Sequence, residues 1–224
     1  MMHQIELAGS VELMSHTPEG DLLVVNAARC SFDKEHESFN ERKDSKLINY
    51  LAKHEHLLPF RHPCVTLRIE APIFVMRQLG KHQVGFSWSE VSRRYVTHPP
   101  EFYRPKDWRT TADNVKQGSS DEVLRHPQAQ YTQAAVEDNY HFALATYTEL
   151  LKNGVCAEQA RMVLPQSMFT TTVTTGSLLG WFHMYKLRIE AHTQRETQVY
   201  AEKIGEIMKE LYPISWEALC EHCL

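Results

Sequence analysis

Polar and apolar residues alternate most cleanly in CVTLRIE, where Val65, Leu67 and Ile69 fall on one face and Thr66, Arg68 and Glu70 on the other. That period of two predicts a half-buried strand. Pro72 then suits the first turn of a helix, which IFVMRQL continues to Gly80. Val136, Tyr140, Leu144, Tyr147 and Leu151 recur at helical spacing, and Asn153-Gly154 is a C-terminal stop. A short helix through AEQARMVL follows and ends at Pro165. TTTVTT is β-branched enough for a strand. Ser177 can cap a helix through LLGWFHMYKLR, and the chain reads as mainly helical from there to Leu211.

Other segments carry weaker patterns. LLVVNAARCSF predicts a short apolar strand that passes into polar residues, and SEVSRRYV a second strand closed off by HPP. From Glu101 to about Gln130 the chain is polar and rich in loop formers, with KQGSSD at its centre. A loop of that length is a binding loop or a disordered one. No repeat and no linker divides the chain. The expectation is one α+β domain over residues 1–224, with a mixed or antiparallel sheet flanked by long helices.

Composition narrows the class. The 224 residues are 42% hydrophobic, as in a soluble protein with a real core. A net charge of −4 argues against a nucleic-acid binder, which normally carries a basic surface. No apolar run approaches the ~20 residues of a membrane span. MMHQIELAGS has no basic segment followed by an apolar one, so no secretory signal is read there. Five scattered cysteines read as reduced thiols of a cytoplasmic protein. Cys220 and Cys223 form a terminal CEHC without the second pair a zinc site needs, so no metal is expected.

The densest polar cluster is KHQVGFSWSEVSRRY, residues 81–95. As a strand it would put Glu90, Ser92 and Arg94 on one face. Arg94 could hold a phosphate through two parallel hydrogen bonds with Ser92 adding a third, or Glu and Arg could simply pair on a solvated edge. Arg161 and Arg188 sit in apolar helical segments, where an arginine is rarely buried without an anionic partner. That partner is a glutamate such as Glu158 or Glu190, or a shared polyanionic ligand. HEHLLPFRHP misses the HExxH zinc pattern because position 58 is leucine. GxGxxG, GxxxxGK[ST] and GxSxG are all absent, which excludes the usual dinucleotide, P-loop and hydrolase-elbow signatures.

RQLGKHQVGFSWSEVSRRY resembles the signature of the flavin-dependent thymidylate synthases, an Arg-His-Arg triplet, then Asn-Glu, then Ser-x-Arg-Tyr. NAARCSF, HLLPFRHPCVTLRIEAPIFVMRQ, ARMVLPQSMFT and LRIEAHTQRETQVYA resemble further elements of that family, in its order. The resemblance implies an α+β enzyme that methylates dUMP to dTMP. Methylenetetrahydrofolate would give the carbon, FAD reduced by NADPH the hydride, and a homotetramer the shared active sites. Gln78, Lys81, Glu90, Ser92, Arg94, Arg161 and Arg188 match the dUMP contacts. Arg94 and Arg161 would take the phosphate, and Arg188 would be the catalytic arginine at the uracil ring. His56, Lys81, His82, Gln83, Glu90, Ser177 and His183 match the FAD contacts.

Departures from the pattern are local. The triplet reads Lys81-His82-Gln83, Ser89 replaces the asparagine before Glu90, and one extra residue separates His82 from Ser92. Ser177 and His183 stand where asparagines often contact flavin, and Leu179 where an arginine can. Two other readings remain open: transfer of a different carbon unit to the pyrimidine, and a non-catalytic nucleotide- or RNA-binding protein using the same arginines.

Overall fold

The computed structural model describes residues 6–96, 98–112 and 119–224. Its strands are β1 (Ser10–His16), β2 (Cys64–Pro72), β3 (Phe86–Glu90), β4 (Arg109–Thr111), β5 (Ser119–Val123) and β6 (Phe169–Ser177). Its helices are α1 (Gly20–Arg29), α2 (Glu41–Lys53), α3 (Ile73–Leu79), α4 (Gln128–Lys152), α5 (Ala157–Ala160), α6 (Leu178–Arg188), α7 (Arg195–Leu211) and α8 (Pro213–Cys223). Four strands form an antiparallel sheet in the order β1-β2-β6-β3, and β4 pairs with β5.

The predicted alternation governs the sheet. Val65, Leu67, Ile69 and Ala71 are buried, and across the β2–β6 ladder they face Gly176, Thr174, Thr172 and Thr170. Burying threonines this deeply requires partners for their hydroxyls. Thr174 donates to Thr172 at 3.1 Å, and Thr172 donates to the Met76 sulfur at 3.8 Å. Trp181, Phe182, Met184 and Leu178 of α6 fill the core over this face, and the Trp181 indole donates to the Val65 carbonyl at 3.1 Å. A smaller cluster of Phe102, Tyr140 and Met168 seats α4 against the end of the sheet. Among the described residues no helix is long and apolar enough to cross a membrane.

The helix predicted from Val136 to Leu151 is α4, which runs into Asn153 and then Gly154 at φ +81°. Ser177 caps α6 as expected, its Oγ accepting from the Gly180 amide at 3.1 Å. Two expectations are corrected and one, the mainly helical stretch to Leu211, holds with a break. LLVVNAARCSF is the helix α1 and a short 3-10 turn rather than a strand. Its apolar run is too short to set a period, and packing of Leu22, Val24 and Val25 decides it. The helical reading to Leu211 is interrupted at residues 189–194, between α6 and α7. SEVSRRYV is a strand only to Glu90, and Ser92–Tyr95 form a turn. Of the loop from Glu101 to Gln130, part is the β4–β5 pair. Residues 113–118, including the KQG of its centre, lie outside the described residues, as do residues 1–5.

Candidate active site

The end of β3 fixes the first cluster. Because the strand stops at Glu90, Glu90, Ser92 and Arg94 do not share a face by alternation. Glu90 stays at the sheet, its carboxylate accepting from the Thr170 hydroxyl at 2.9 Å. Ser92 opens the turn, and its Oγ accepts from the Arg161 Nη1 at 3.3 Å and from the Arg94 amide at 3.3 Å. Arg94 is exposed and pairs with Glu158 at 3.2 Å. Arg161 is not within an apolar helix but exposed in the 3-10 turn Arg161–Val163 after α5. Glu158 therefore serves Arg94, and neither Arg161–Glu158 nor Glu90–Arg94 forms an ion pair. Glu90 and Arg161 line one cavity of about 540 Å³.

A second cluster forms where α3 and α6 end. Arg188, the last residue of α6, is half-buried, and its Nη2 donates to the Gln78 carbonyl at 2.9 Å. The Gln78 side-chain amide donates to Gln194 at 2.7 Å. The Arg188 Nε is enclosed with no hydrogen-bond partner. Glu190 is near enough to favour the charge of Arg188 but forms no ion pair with it, and burial, the larger effect, lowers its pKa. His82 stands close by. Burial, followed by the charges of Arg188 and His183, pulls its pKa down to about 4, and its Nε2 is enclosed and unpartnered.

A third group lines a cavity of about 630 Å³ bounded by Val84, Phe86 and Leu179 on the apolar side and Arg61, Ser177 and His183 on the polar side. Phe86 reaches this wall because residue 176 is glycine. A Cβ there would lie 2.4 Å from the Phe86 ring and 2.9 Å from the Trp181 nitrogen. Burial, then Arg61 and Lys186, lowers the pKa of His183. The remaining predicted residues stand outside this cavity. Gln83 folds back to donate to the Gly80 carbonyl. Lys81 is exposed just beyond α3. His56 is exposed beside Tyr50 and His54, its ring 6.0 Å and 6.3 Å from theirs. Among the described residues no group of three His, Cys, Asp or Glu is placed to hold a metal ion.

Sequence reasoning missed two residues here. Gln194, hidden in a segment read as helix, orders Gln78. Arg93, read as the opposite face of a strand, is buried beside the 540 Å³ cavity. Its signal was the turn propensity of a segment whose β-branched residues suggested a strand.

These clusters can be set against known proteins. A family model described as thymidylate synthase complementing protein matches residues 12–214. The chain belongs to the flavin-dependent thymidylate synthase family. The flavin-dependent thymidylate synthase of Thermus thermophilus is 36% identical over 204 residues, covering 91% of this chain and 73% of its own. That of Thermotoga neapolitana is 36% identical over 214 residues, covering 96% and 92%. The crystal structure of the UMP/dUMP methylase PolB from Streptomyces cacaoi, bound with 5-Br dUMP, superposes with a TM-score of 0.83. It is 31% identical and covers 95% of this chain and 94% of its own. Of the positions where the sequence departs from the expected pattern, Ser177, Leu179 and His183 line the 630 Å³ cavity, and Lys81, Gln83 and Ser89 do not.

Proposed function

We propose that this flavin-dependent thymidylate synthase family member methylates dUMP to dTMP. Methylenetetrahydrofolate is the carbon donor, and FAD reduced by NADPH is the hydride source. Family membership, the names of the relatives and the methylase activity of the PolB neighbour support the reaction class. The observation that carries the reading is the corner where Arg188, Gln78 and His82 meet. A half-buried guanidinium there has an enclosed, unpartnered Nε and no ion pair among the described residues.

In this reading Arg188 is the catalytic residue. Set against the uracil edge, its fixed charge favours ionisation at N3 and polarises the pyrimidine for attack at its far side. Gln78, held by Gln194, orients the base, and Lys81 adds a cation to the nucleotide. Ser92, Arg94 and Arg161 take the phosphate, with Glu90 beside them. The 630 Å³ cavity fits a flavin. Val84, Phe86 and Leu179 provide an apolar wall for a flat ring, while Ser177 and His183 provide polar contacts at its rim. His82, beside Arg188 and outside that cavity, presents a neutral imidazole, because its lowered pKa keeps it deprotonated near neutral pH. Bound FAD supplies the hydride, and the protein supplies placement and electrostatics. His56, Gln83 and Glu90 complete the flavin contacts in a homotetramer whose copies share their sites. The five free thiols accord with a reducing compartment such as the cytoplasm.

The test is an absorption spectrum of the purified protein, then NADPH oxidation with and without dUMP, and mass analysis of the base. Flavin bands with dUMP-dependent oxidation and a methylated product support the reading. A colourless protein that takes up no FAD sinks it, and a different added mass points to another carbon unit. Arg188→Ala is expected to abolish methylation while leaving the melting temperature within a few degrees of wild type. Wild-type turnover in that variant removes Arg188 from catalysis.

A further inference from the structure

Arg109 opens β4, inside the polar segment from Glu101 to Gln130, and reaches a partner 87 residues along the chain. Its Nη1 and Nη2 donate to the two carboxylate oxygens of Glu196, both at 2.9 Å, and its Nε donates to the Ser119 hydroxyl at 2.7 Å. Glu196 lies in the first turn of α7 and is 6% exposed. A two-stranded hairpin such as β4–β5 is marginally stable by itself, so its place on the molecule depends on ties of this kind. A buried ion pair contributes little net stability over apolar packing, but its two parallel bonds fix one geometry.

The geometry fixed here is that of the turn into α7. Gln194 is the N-cap residue of α7, and its carbonyl accepts from the Thr197 and Gln198 amides at 2.8 Å and 3.1 Å. Its side chain accepts from the Gln78 amide at 2.7 Å, and the Gln78 carbonyl accepts from Arg188 at 2.9 Å. Gln194 is exposed, and together with Arg109 and Glu196 it borders a cavity of about 330 Å³. Close packing therefore does not hold Gln194 in place, and its direction follows that of the helix start to which Glu196 belongs. We infer, on the reading of this chain as a dUMP-binding enzyme, that Arg109 is a positioning residue. Through Glu196 it sets the start of α7 so that Gln194 holds the Gln78 amide ready for the uracil edge. The β4–β5 hairpin thus serves the substrate site without touching the substrate.

The experiment is a double-mutant cycle read by calorimetric titration of the holoenzyme with dUMP, in wild type, Arg109→Met, Gln194→Leu and the double variant. Each single change is expected to weaken dUMP by roughly 3- to 10-fold, the worth of one ordered hydrogen bond. The double variant is expected to bind no more weakly than the more affected single variant. Arg109→Lys, which keeps the charge but loses the fork, should fall between wild type and Arg109→Met. Wild-type affinity in Arg109→Met, or losses that multiply in the double variant, overturns the inference and leaves the proposed reaction standing. A wild-type protein that binds no dUMP overturns both. Arg109→Met leaves the Glu196 carboxylate buried without its partner. Should it fail to fold, Arg109→Met/Glu196→Leu removes both charges and takes its place in the cycle, with the same outcomes deciding.

Discussion

His82 is where packing sets a protonation state. Burial, then the neighbouring charges of Arg188 and His183, depress its pKa from 6.5 to about 4. The unfolded chain binds a proton there below pH 6.5, and the folded chain does so only near pH 4. The unfolded state therefore holds more protons between these values, and stability falls as pH drops through that window. Above pH 6.5 the group costs nothing. His82→Gln is expected to flatten the loss of urea midpoint between pH 6.5 and 4, with His183 still contributing its own smaller slope. A variant whose pH profile overlays the wild type would remove His82 as the source. The sequence singled out His82 by its place beside Lys81 and Gln83. Its neutrality was not legible, because it comes from Arg188, far along the chain, and from the burial the fold imposes.

At the scale of elements, stability depends on polar joints between helices. The N-terminus of α2 is capped by Asn40, whose side chain accepts from the Lys43 amide at 2.9 Å. Asp44 in turn accepts from the Asn40 amide at 2.7 Å and from Arg29, the last residue of α1, at 2.6 Å. One fully buried carboxylate thus joins two helices. Asp44→Ala leaves Arg29 enclosed without its counter-ion, an expected cost of about 3 kcal/mol in chemical denaturation. Asn40→Ala, which loses only a cap, should cost about 1 kcal/mol. Equal losses would show that the ion pair contributes nothing beyond the cap.

In the sequence α1 reads as a strand because its short apolar run sets no period, whereas α2 goes unread although Asp44, Ile48, Leu51 and Ala52 recur on one helical face. β2, α4 and the Ser177 cap were visible because each is written in a local period or a local hydrogen bond. The end of β3 lies between these cases. Phe169 donates to the Glu101 carbonyl, and Met168 bridges to Phe102, so the returning chain occupies the edge that a longer β3 would need. No window of SEVSRRYV contains that competitor.

For the whole molecule, the question is whether one chain makes one site. Ser92, Arg94 and Arg161 form one hydrogen-bonded and ion-paired group with Glu158, while Arg188, Gln78 and Gln194 form another. Among the described residues no hydrogen bond or ion pair links the two. In the proposed reading a single dUMP takes its phosphate contacts from the first group and its uracil contact from the second. Sites shared between copies, as the family resemblance implies, meet that demand without distorting either group. This arrangement predicts complementation. Arg94→Ala and Arg188→Ala should each be inactive alone, since each removes one half of every site. Mixed after subunit exchange in equal amounts, a random closed oligomer should recover about a quarter of wild-type activity, the fraction of sites that draw both intact halves. Size-exclusion chromatography would confirm that exchange had occurred. Exchange without recovery would mean that each site is completed within one chain, and that a movement of the Ser92–Tyr95 turn must bring Arg94 to the Arg188 corner.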